Sequence, residues 1–343
     1  MGKYILKRIS LALLTTFIIL SLSFILIKML PIDPFFGKPE QKTAYYTEQV
    51  RLGYMYSSKV KEPDKKAVDS VTESTGRVTY YYAESVMKQY GSWLKNIVTR
   101  WDWGVSRKIQ PNVKATIIIG EGLGTSIRIN ILSVIFSVPI GIALGIWAAL
   151  KKNTRTDNII STLVMVFISV PSFVLITFMM LIFCYTFSIL PTQWPNPTDP
   201  QSWKILGYVL PVFCLSFGSI CGYCRFVRAE LCEVMESEYL LLARTKGLTR
   251  RQAILRHAMK NAMVPIFPSI LAEFIGILGG SMILENLYGI PGIGKLFITA
   301  LTAKDYNILF VDMAIFTTIS LLAGVVLDLS YGFIDPRIRM GAK

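Results

Sequence analysis

Three carboxylates stand inside apolar stretches of this sequence, where a charged side chain is costly. Glu273 lies in one stretch, and Asp312 and Asp328 lie in the last one. A carboxylate in such a place either serves a transported ion or substrate, or pairs with a basic residue of a neighbouring chain. We therefore regard Glu273 and Asp312 as candidates for lining a transport pathway. Asp328, near the end of its stretch, is expected to be structural.

A second candidate is a segment that nearly matches a phosphate-binding loop. Gly289-Ile-Pro-Gly-Ile-Gly294-Lys295-Leu296 lacks the hydroxyl that the pattern G-x-x-x-x-G-K-[S/T] supplies to magnesium at its last position, and Pro291 interrupts the loop. No nucleotide site is predicted here. The segment is expected to be a turn at the outer end of the pathway or against a partner, with four residues of interest: Glu285, Pro291, Gly292 and Gly294.

Metal, redox and hydrolytic chemistry find little support. His257 is the only histidine, and no second ligand accompanies it. Cys221 and Cys224 have the spacing of a redox motif but lie late in an apolar stretch, so small packing residues are the favoured interpretation. No Ser/His/Asp set or catalytic carboxylate pair can be argued. The sequence predicts a non-catalytic chain with no metal site and no bound cofactor.

The composition indicates a membrane protein. Hydrophobic residues make up 52% of the 343 and charged residues 17%, against roughly 25% charged in soluble domains. Apolar blocks of about 20 residues match the ~30 Å hydrocarbon core of a bilayer, and such blocks must be helical to satisfy their backbone. We predict an all-α integral membrane protein in contact with lipid. The net charge of +14 is interpreted as topology determinants rather than nucleic-acid binding.

Six blocks are predicted to span the membrane, and Pro171 is expected to kink the third. The spans are about 9–30, 127–150, 159–190, 205–226, 264–284 and 308–334. Lysine and arginine concentrate at the N-terminus, after the second span, in the connection 228–262 and in the tail, whereas the short opposite loops carry only Lys204, Lys295 and Lys304. The bias predicts a multi-pass protein of the cell (plasma or inner) membrane with both termini cytoplasmic.

Three parts follow from this topology. Residues 1–30 form the first transmembrane helix, and 31–112 form a long extracytoplasmic loop or small domain. Residues 113–340 form a five-helix core that carries a cytoplasmic loop at about 228–262.

The cytoplasmic loop has the pattern of a two-helix elbow. Gly247 is expected to end the first helix, because glycine adopts the left-handed conformation at little cost. Thr249 and Gln252 form a capping-box pattern that starts the second helix, whose apolar stripe includes Ala253 and Ile254. A helix–glycine–helix unit with basic residues suits a docking knob, although a solvated loop is the alternative.

Several motifs occur in the same order as in a known family. The stretch Ala243-Arg-Thr-Lys-Gly247-Leu, with Arg256 to Ala262 after it, resembles the EAA loop of ABC importer permeases. The chain more closely resembles B-type subunits of the oligopeptide/dipeptide/nickel permease family. Further matches are Trp103 to Ser106, Pro139 to Gly141, Ala148-Ala149, Ser169 to Phe173, Glu285 to Gly294, Asp305-Tyr306, Asp328 and Asp335 to Arg337.

The sequence departs from the family in three places. Leu241-Leu242 stand where the EAA pattern has Glu-Ala. The insert at about 35–100 is longer than in many members, and Asp312 occupies a position expected to be small and apolar.

The resemblance implies a type I ABC importer permease fold and a docking loop that sits in a groove of an ATPase. The implied contact residues are Ala243, Arg244, Lys246, Gly247, Leu248 and Arg250. It also implies a second homologous permease subunit, two cytoplasmic ABC ATPases that use ATP and magnesium, and an extracytoplasmic substrate-binding protein. The expected cargo is a peptide, whose amino terminus Glu273 is positioned to meet.

Other interpretations stay open. The same architecture imports nickel, other chelated metals or oligosaccharides, and no residue here separates these cargoes. A stand-alone secondary transporter or channel predicts inverted repeats about a midplane site, which the sequence does not show. A membrane scaffold without transport is the third alternative.

Overall fold

Helix dominates the chain, as the apolar blocks predict. A computed structural model describes residues 2–30, 34–35, 38–72, 77–276 and 281–334. Thirteen helices run through these ranges: α1 Gly2–Lys28, α2 Pro39–Arg51, α3 Val86–Arg100, α4 Ala115–Leu150, α5 Arg155–Ile168, α6 Ser172–Met180, α7 Gln201–Met235, α8 Glu238–Thr245, α9 Arg250–Ala253, α10 Met259–Gly276, α11 Met282–Tyr288, α12 Ile293–Ala303 and α13 Tyr306–Ile334. The motif residues 335–337 lie outside the described residues.

The described chain divides into two units by its internal contacts. The first unit comprises Met1–Gly124 and Gly292–Leu321, and the second comprises Thr125–Pro291 and Leu322–Lys343.

Four helices within the described ranges are long and apolar enough to cross a membrane, or five if one bent pair is a single span. They are α1, α4, α7 and α13. The bent pair is α5 with α6, which continues as a π-helix over Leu181–Thr186. Its halves meet at 99° beside Pro171, as the predicted kink requires. The predicted fifth span falls on α10, on α11 and on the residues between them. Because residues 277–280 lie outside the described residues, the count of six spans stays a prediction.

The polar segment between α1 and α4 contains a sheet that the sequence analysis did not predict. Strands β1 Met55–Ser58, β2 Asp69–Thr72 and β3 Val78–Ala83 pair antiparallel in the order β1-β3-β2. Met55 lies opposite Ala83, and Asp69 opposite Tyr81. The ring of Tyr81 stacks on Tyr46 of α2 at 4.6 Å, and the Tyr46 hydroxyl donates to Asp69 at 2.7 Å. The fold is therefore all-α in its membrane helices, with a small α+β insert.

A buried carboxylate organises the first unit. The Asp305 side chain is fully buried and accepts from the Ser106 hydroxyl at 2.7 Å. It also accepts from the backbone N–H groups of Arg107 at 3.0 Å, Lys108 at 2.8 Å and Ile109 at 3.2 Å. The motif around Ser106 thus binds Asp305, 199 positions away. The successive N–H groups of residues 107–109 form a concavity that suits an anion.

The next residues strengthen this junction. The Asn307 amide donates to the Val105 carbonyl at 2.8 Å. Gly104 lies beside it with φ of +86°, and a Cβ there would stand 2.9 Å from the Asn307 amide nitrogen. Glycine is required at this position both by the backbone conformation and by the close approach.

Close helix contact holds the second unit together. A Cβ on Gly141 would lie 2.7 Å from Tyr223 Cβ, and one on Gly145 would lie 2.7 Å from the Cys224 carbonyl oxygen and from Val227 Cβ. Glycines four residues apart let the backbones of α4 and α7 approach closely, a common device in membranes.

An ion pair joins α5 to α7 in the same unit. Asp157 is 1% exposed and receives Arg228 Nε at 2.5 Å and Arg228 Nη2 at 2.8 Å. It also accepts from the Asn153 N–H at 2.9 Å. This bidentate geometry fixes the angle between the two helices, since both carboxylate oxygens are engaged.

The close approach of α4 and α7 at Gly145 predicts that glycine-to-alanine substitutions at two positions will change the melting temperature differently. Gly145→Ala forces overpacking against α7, which costs about 1–3 kcal/mol, so the melting temperature of the purified chain should fall. Gly218→Ala, on α7 with open space around its Cβ, should leave it unchanged or raised, because alanine favours helix by about 1 kcal/mol. Equal melting temperatures would show that the close approach does not matter.

A second prediction concerns the buried carboxylate. Asp305→Asn removes the negative charge that four donors face, and hydrogen bonds to charged groups are worth about 1.5–3 kcal/mol each. We expect a lower melting temperature and faster proteolysis after Lys108. The control is Asp64→Asn, at an exposed site between β1 and β2. If both variants melt like the unmodified chain, Asp305 does not hold the 106–109 turn.

Candidate functional site

The elbow has the local geometry that the sequence predicts. Helix α8 ends at Thr245, and Gly247 follows with φ of +91°. The Thr249 hydroxyl accepts from the Gln252 N–H at 3.3 Å, and the Thr249 N–H donates to the Gln252 side chain at 3.1 Å. The predicted helix stop and capping box are both confirmed.

One face of the elbow is buried against the ends of α4 and α7. Ala253, Ile254 and Ala258 are at most 6% exposed and pack with Ala149 of α4 and Leu231 of α7. The apolar stripe predicted for the second helix is confirmed. Its burial holds the elbow rigidly on the helix bundle, because small residues at these positions allow close packing.

The elbow also exposes large apolar side chains. Tyr239 is 42% exposed, Leu241 63%, Leu242 57% and Leu255 61%. Exposed apolar side chains in an otherwise polar loop make it a candidate interaction surface. We call these four residues the leucine face.

The predicted docking residues lie along the chain between Leu242 and Leu255 of the leucine face. Arg244, Lys246, Gly247 and Arg250 are exposed, whereas Ala243 and Leu248 are partly buried. The sequence analysis named Leu241 and Leu242 only as departures from a family pattern and missed their exposure. Their apolar character in a basic loop was the available signal.

A cavity of about 460 Å³ opens beside the elbow. Its walls include Arg244 and Arg250, the apolar Leu241 and Ile254, and the Lys152–Glu236 ion pair. The hydrogen bond with Glu236 raises the pKa of Lys152, which keeps this lysine charged. Two of the six predicted docking residues, Arg244 and Arg250, thus border a concave surface of mixed polarity.

The second elbow helix runs on without interruption. A π-turn over Ile254–Ala258 joins α9 to α10, and α10 continues through Pro265 and Pro268. The sequence analysis placed the start of the fifth span at about residue 264, whereas the helical run from Arg250 to Gly276 is continuous and about 40 Å long at 1.5 Å per residue. The elbow and the far end of α10 therefore belong to one helical run.

Glu273 lies near the far end of this helical run, on α10. Its carboxylate accepts from the Ser137 hydroxyl of α4 at 3.4 Å and lies close to Tyr223 of α7. The Tyr223 hydroxyl also donates to the Ser269 carbonyl at 3.2 Å. Three helices thus meet at a polar cluster, although Glu273 is only partly buried.

Asp312, the other pathway candidate, belongs to the first unit. It is fully buried on α13, beside the core residues Phe310 and Val311. A pathway role for either carboxylate stays a prediction.

The predicted outer turn falls on both units. In the second unit, Glu285 is 2% exposed and accepts from the Ser126 hydroxyl at 2.7 Å and the Ser281 N–H at 3.2 Å, while Pro291 is exposed. In the first unit, Gly292 and Gly294 are buried. Helix α11 precedes this turn, whereas a phosphate-binding loop follows a strand.

No group of three His, Cys, Asp or Glu side chains could hold a metal ion within the described ranges. The five cysteines are buried free thiols.

The sequence matches a family and individual relatives. The family described as binding-protein-dependent transport system inner membrane component matches residues 141–340. The oligopeptide transport system permease protein OppB of Haemophilus influenzae is 30% identical over 340 residues, 99% of this chain and 100% of that protein. The dipeptide transport system permease protein DppB of Bacillus subtilis is 26% identical over 344 residues, 100% of both chains.

Two solved structures are similar over part of the chain. An amino acid ABC transporter has 20% identity and a TM-score of 0.48, covering 64% of this chain and 94% of that one. The MetNI methionine ABC transporter has 16% identity and a TM-score of 0.46, covering 66% of this chain and 98% of that one. These similarities add nothing to the assignment, which the sequence matches carry.

The family match includes the whole elbow, the helical run that follows it and α13. The relatives named above are permease proteins that align over their full length, which confirms the resemblance found in the motifs and agrees with a non-catalytic membrane subunit. The chain belongs to the family of binding-protein-dependent transport system inner membrane components.

Proposed function

We propose that this chain is a transmembrane subunit of an ATP-driven peptide importer and that its elbow docks a cytoplasmic ATPase. Full-length similarity to oligopeptide and dipeptide permease proteins supports the cargo. A second homologous permease, two ATPases that use ATP and magnesium, and an extracytoplasmic substrate-binding protein complete the assembly. Both termini are cytoplasmic, and residues 31–112 are extracytoplasmic.

The leucine face is the observation that carries the docking role. Leu241, Leu242 and Leu255 expose more than half of their surface, and burying such side chains contributes about 25 cal/mol per Å². Arg244, Lys246 and Arg250 surround them and select an acidic rim on the partner. An apolar centre within a charged rim is the usual anatomy of a protein interface.

Coupling follows from how the elbow is built. Its inner face is packed on α4 and α7, and its second helix is continuous with α10, which carries Glu273. When the ATPases close on ATP, they displace the elbow, and α10 moves with it. The contacts of Glu273 with Ser137 and Tyr223 then change, which alters how the pathway side of α10 receives a peptide's amino terminus.

The positive φ of Gly247 predicts a graded result at one position. A Cβ there would meet no other atom, so substitutions act through backbone conformation alone. Gly247→Val should leave the protein in the membrane but uncouple ATP hydrolysis from uptake, because β-branched residues are rare at positive φ. Gly247→Asn should retain most coupling, since asparagine adopts this region more readily.

The measurement is peptide uptake and ATPase activity of the complete transporter in proteoliposomes. Normal uptake by the valine variant would contradict the docking role. An equal loss of coupling in both variants would show that the ATPase requires the absence of a side chain at residue 247, rather than its backbone conformation.

The pathway role of Glu273 predicts a charge-dependent change in uptake. Glu273→Gln removes the negative charge and should reduce uptake of peptides with a free amino terminus more than uptake of their N-acetylated analogues. Glu273→Asp keeps the charge and should retain the preference. Uptake by the complete transporter is measured with saturating binding protein, so that the permease step limits the rate.

A general loss with no change in preference would assign Glu273 to helix packing instead. Unchanged uptake of every peptide would also contradict the pathway role. Glu230→Gln, at a partly buried position on α7 near the elbow, controls for loss of a carboxylate away from the proposed pathway.

A further inference from the structure

Helix α3 is held between the small α+β insert and the first transmembrane helix. Its buried side chains are Gln89, Trp93 and Asn96. The Asn96 amide donates to the Leu52 carbonyl at 2.9 Å, which ties this face to the end of α2. Trp93 joins the core that includes Phe24 of α1, and the exposed surface of α3 is left for whatever surrounds the protein.

The contact with α1 lies well inside the apolar part of that helix. The Tyr90 hydroxyl donates to Ser21 Oγ at 3.0 Å, and the ring of Trp93 stacks on Phe24 at 4.8 Å. Both partners belong to the candidate span Ile5–Lys28. Helix α3 thus packs against a segment whose own environment is hydrocarbon.

The depth of this contact can be estimated along α1. Basic residues bound its apolar stretch, Lys7 and Arg8 at one end and Lys28 at the other. The stretch between them matches the ~30 Å core of a bilayer. Ser21 precedes Lys28 by seven residues, which places it about 10 Å inside that end at 1.5 Å per residue.

The free surface of α3 is amphipathic. Met87 is 64% exposed, Val98 75% and Trp101, just after the helix, 70%. With the partly buried Leu94 they recur at helical spacing and form one apolar stripe next to Tyr90. Lys88 and Lys95 lie on the adjoining stripe, seven residues apart, and both are exposed.

We propose that α3 lies in the membrane interface at the Lys28 end of α1, with Met87, Leu94 and Val98 in the acyl region of the lipids. Lys88 and Lys95 reach the headgroups, and Trp101 occupies the interfacial belt that tryptophan prefers. An apolar stripe beside a lysine stripe is the pattern of helices that lie in this plane.

Continuity with α1 identifies lipid as the occupant. Leu14 and Ile18, on the Ser21 side of α1, are 53% and 47% exposed, so lipid that covers this side of α1 extends to the stripe of α3. The insert is then anchored by two elements in the bilayer. This inference depends on the placement of α1 in the membrane and is independent of the proposed cargo and of ATPase docking.

Nitroxide labels at two exposed positions test the proposal. Val98→Cys and Lys95→Cys are labelled in the full-length chain, which is reconstituted into vesicles of phosphatidylethanolamine and phosphatidylglycerol. The unmodified chain, whose own cysteines are buried, gives the background. Collisions with oxygen, which concentrates in lipid, are compared with collisions with a water-soluble nickel chelate.

The expected result is a severalfold higher ratio of oxygen to nickel collisions at Val98 than at Lys95, with the melting temperature of both variants unchanged. Similar nickel access at both positions would place α3 in water and overturn the proposal. Low access of both reagents at Val98 would show that protein covers the stripe, which overturns it as well.

Discussion

A backbone N–H group at a break between helices has no partner within a helix and needs another acceptor. This constraint accounts for the positions of several polar side chains in this protein. Asp305 accepts from three successive N–H groups of the turn after Ser106. Glu285 accepts from the Ser281 N–H at the start of α11, and Asp157 from the Asn153 N–H before α5. Thr249 does the same for Gln252 in the elbow. At these four breaks a carboxylate or hydroxyl accepts from the N–H groups, since a buried backbone donor without a partner costs free energy comparable to a lost hydrogen bond.

The elbow is compact because its turn is short and its inner face is packed on the helix bundle. Its turn is short because glycine and the capping box end one helix and begin the next within four residues. Its inner face is filled by alanines that let it approach α4 and α7. The π-turn at Ile254–Ala258 accommodates one extra residue without interrupting the helical run. The packed alanines and the exposed leucines are the features on which the proposed docking role rests.

The segment between α1 and α4 has two different kinds of surface. Tyrosines of α2 and β3 stack into a small core of their own, as an independent domain would. Helix α3 instead uses its aromatic residues to join the core that includes Phe24 of α1. The insert is therefore integrated with the first span through α3, which gives a long polar loop a defined position.

The sequence by itself determined the elements whose signals are local. Apolar blocks located α1, α4, α7 and α13, Pro171 located the bend, and Gly247 with Thr249 located the elbow, because lipid solvation and capping act over a few residues. Only the tertiary structure brought Asp305 to Ser106 across 199 positions and Glu273 to α4 and α7. It alone revealed the sheet and the stripe of α3, since short tyrosine-rich strands carry weak signals and exposure depends on what the rest of the chain covers. The elbow predicted within about 228–262 is confirmed in place, and the structure adds exposed leucines to it, which no periodicity had indicated.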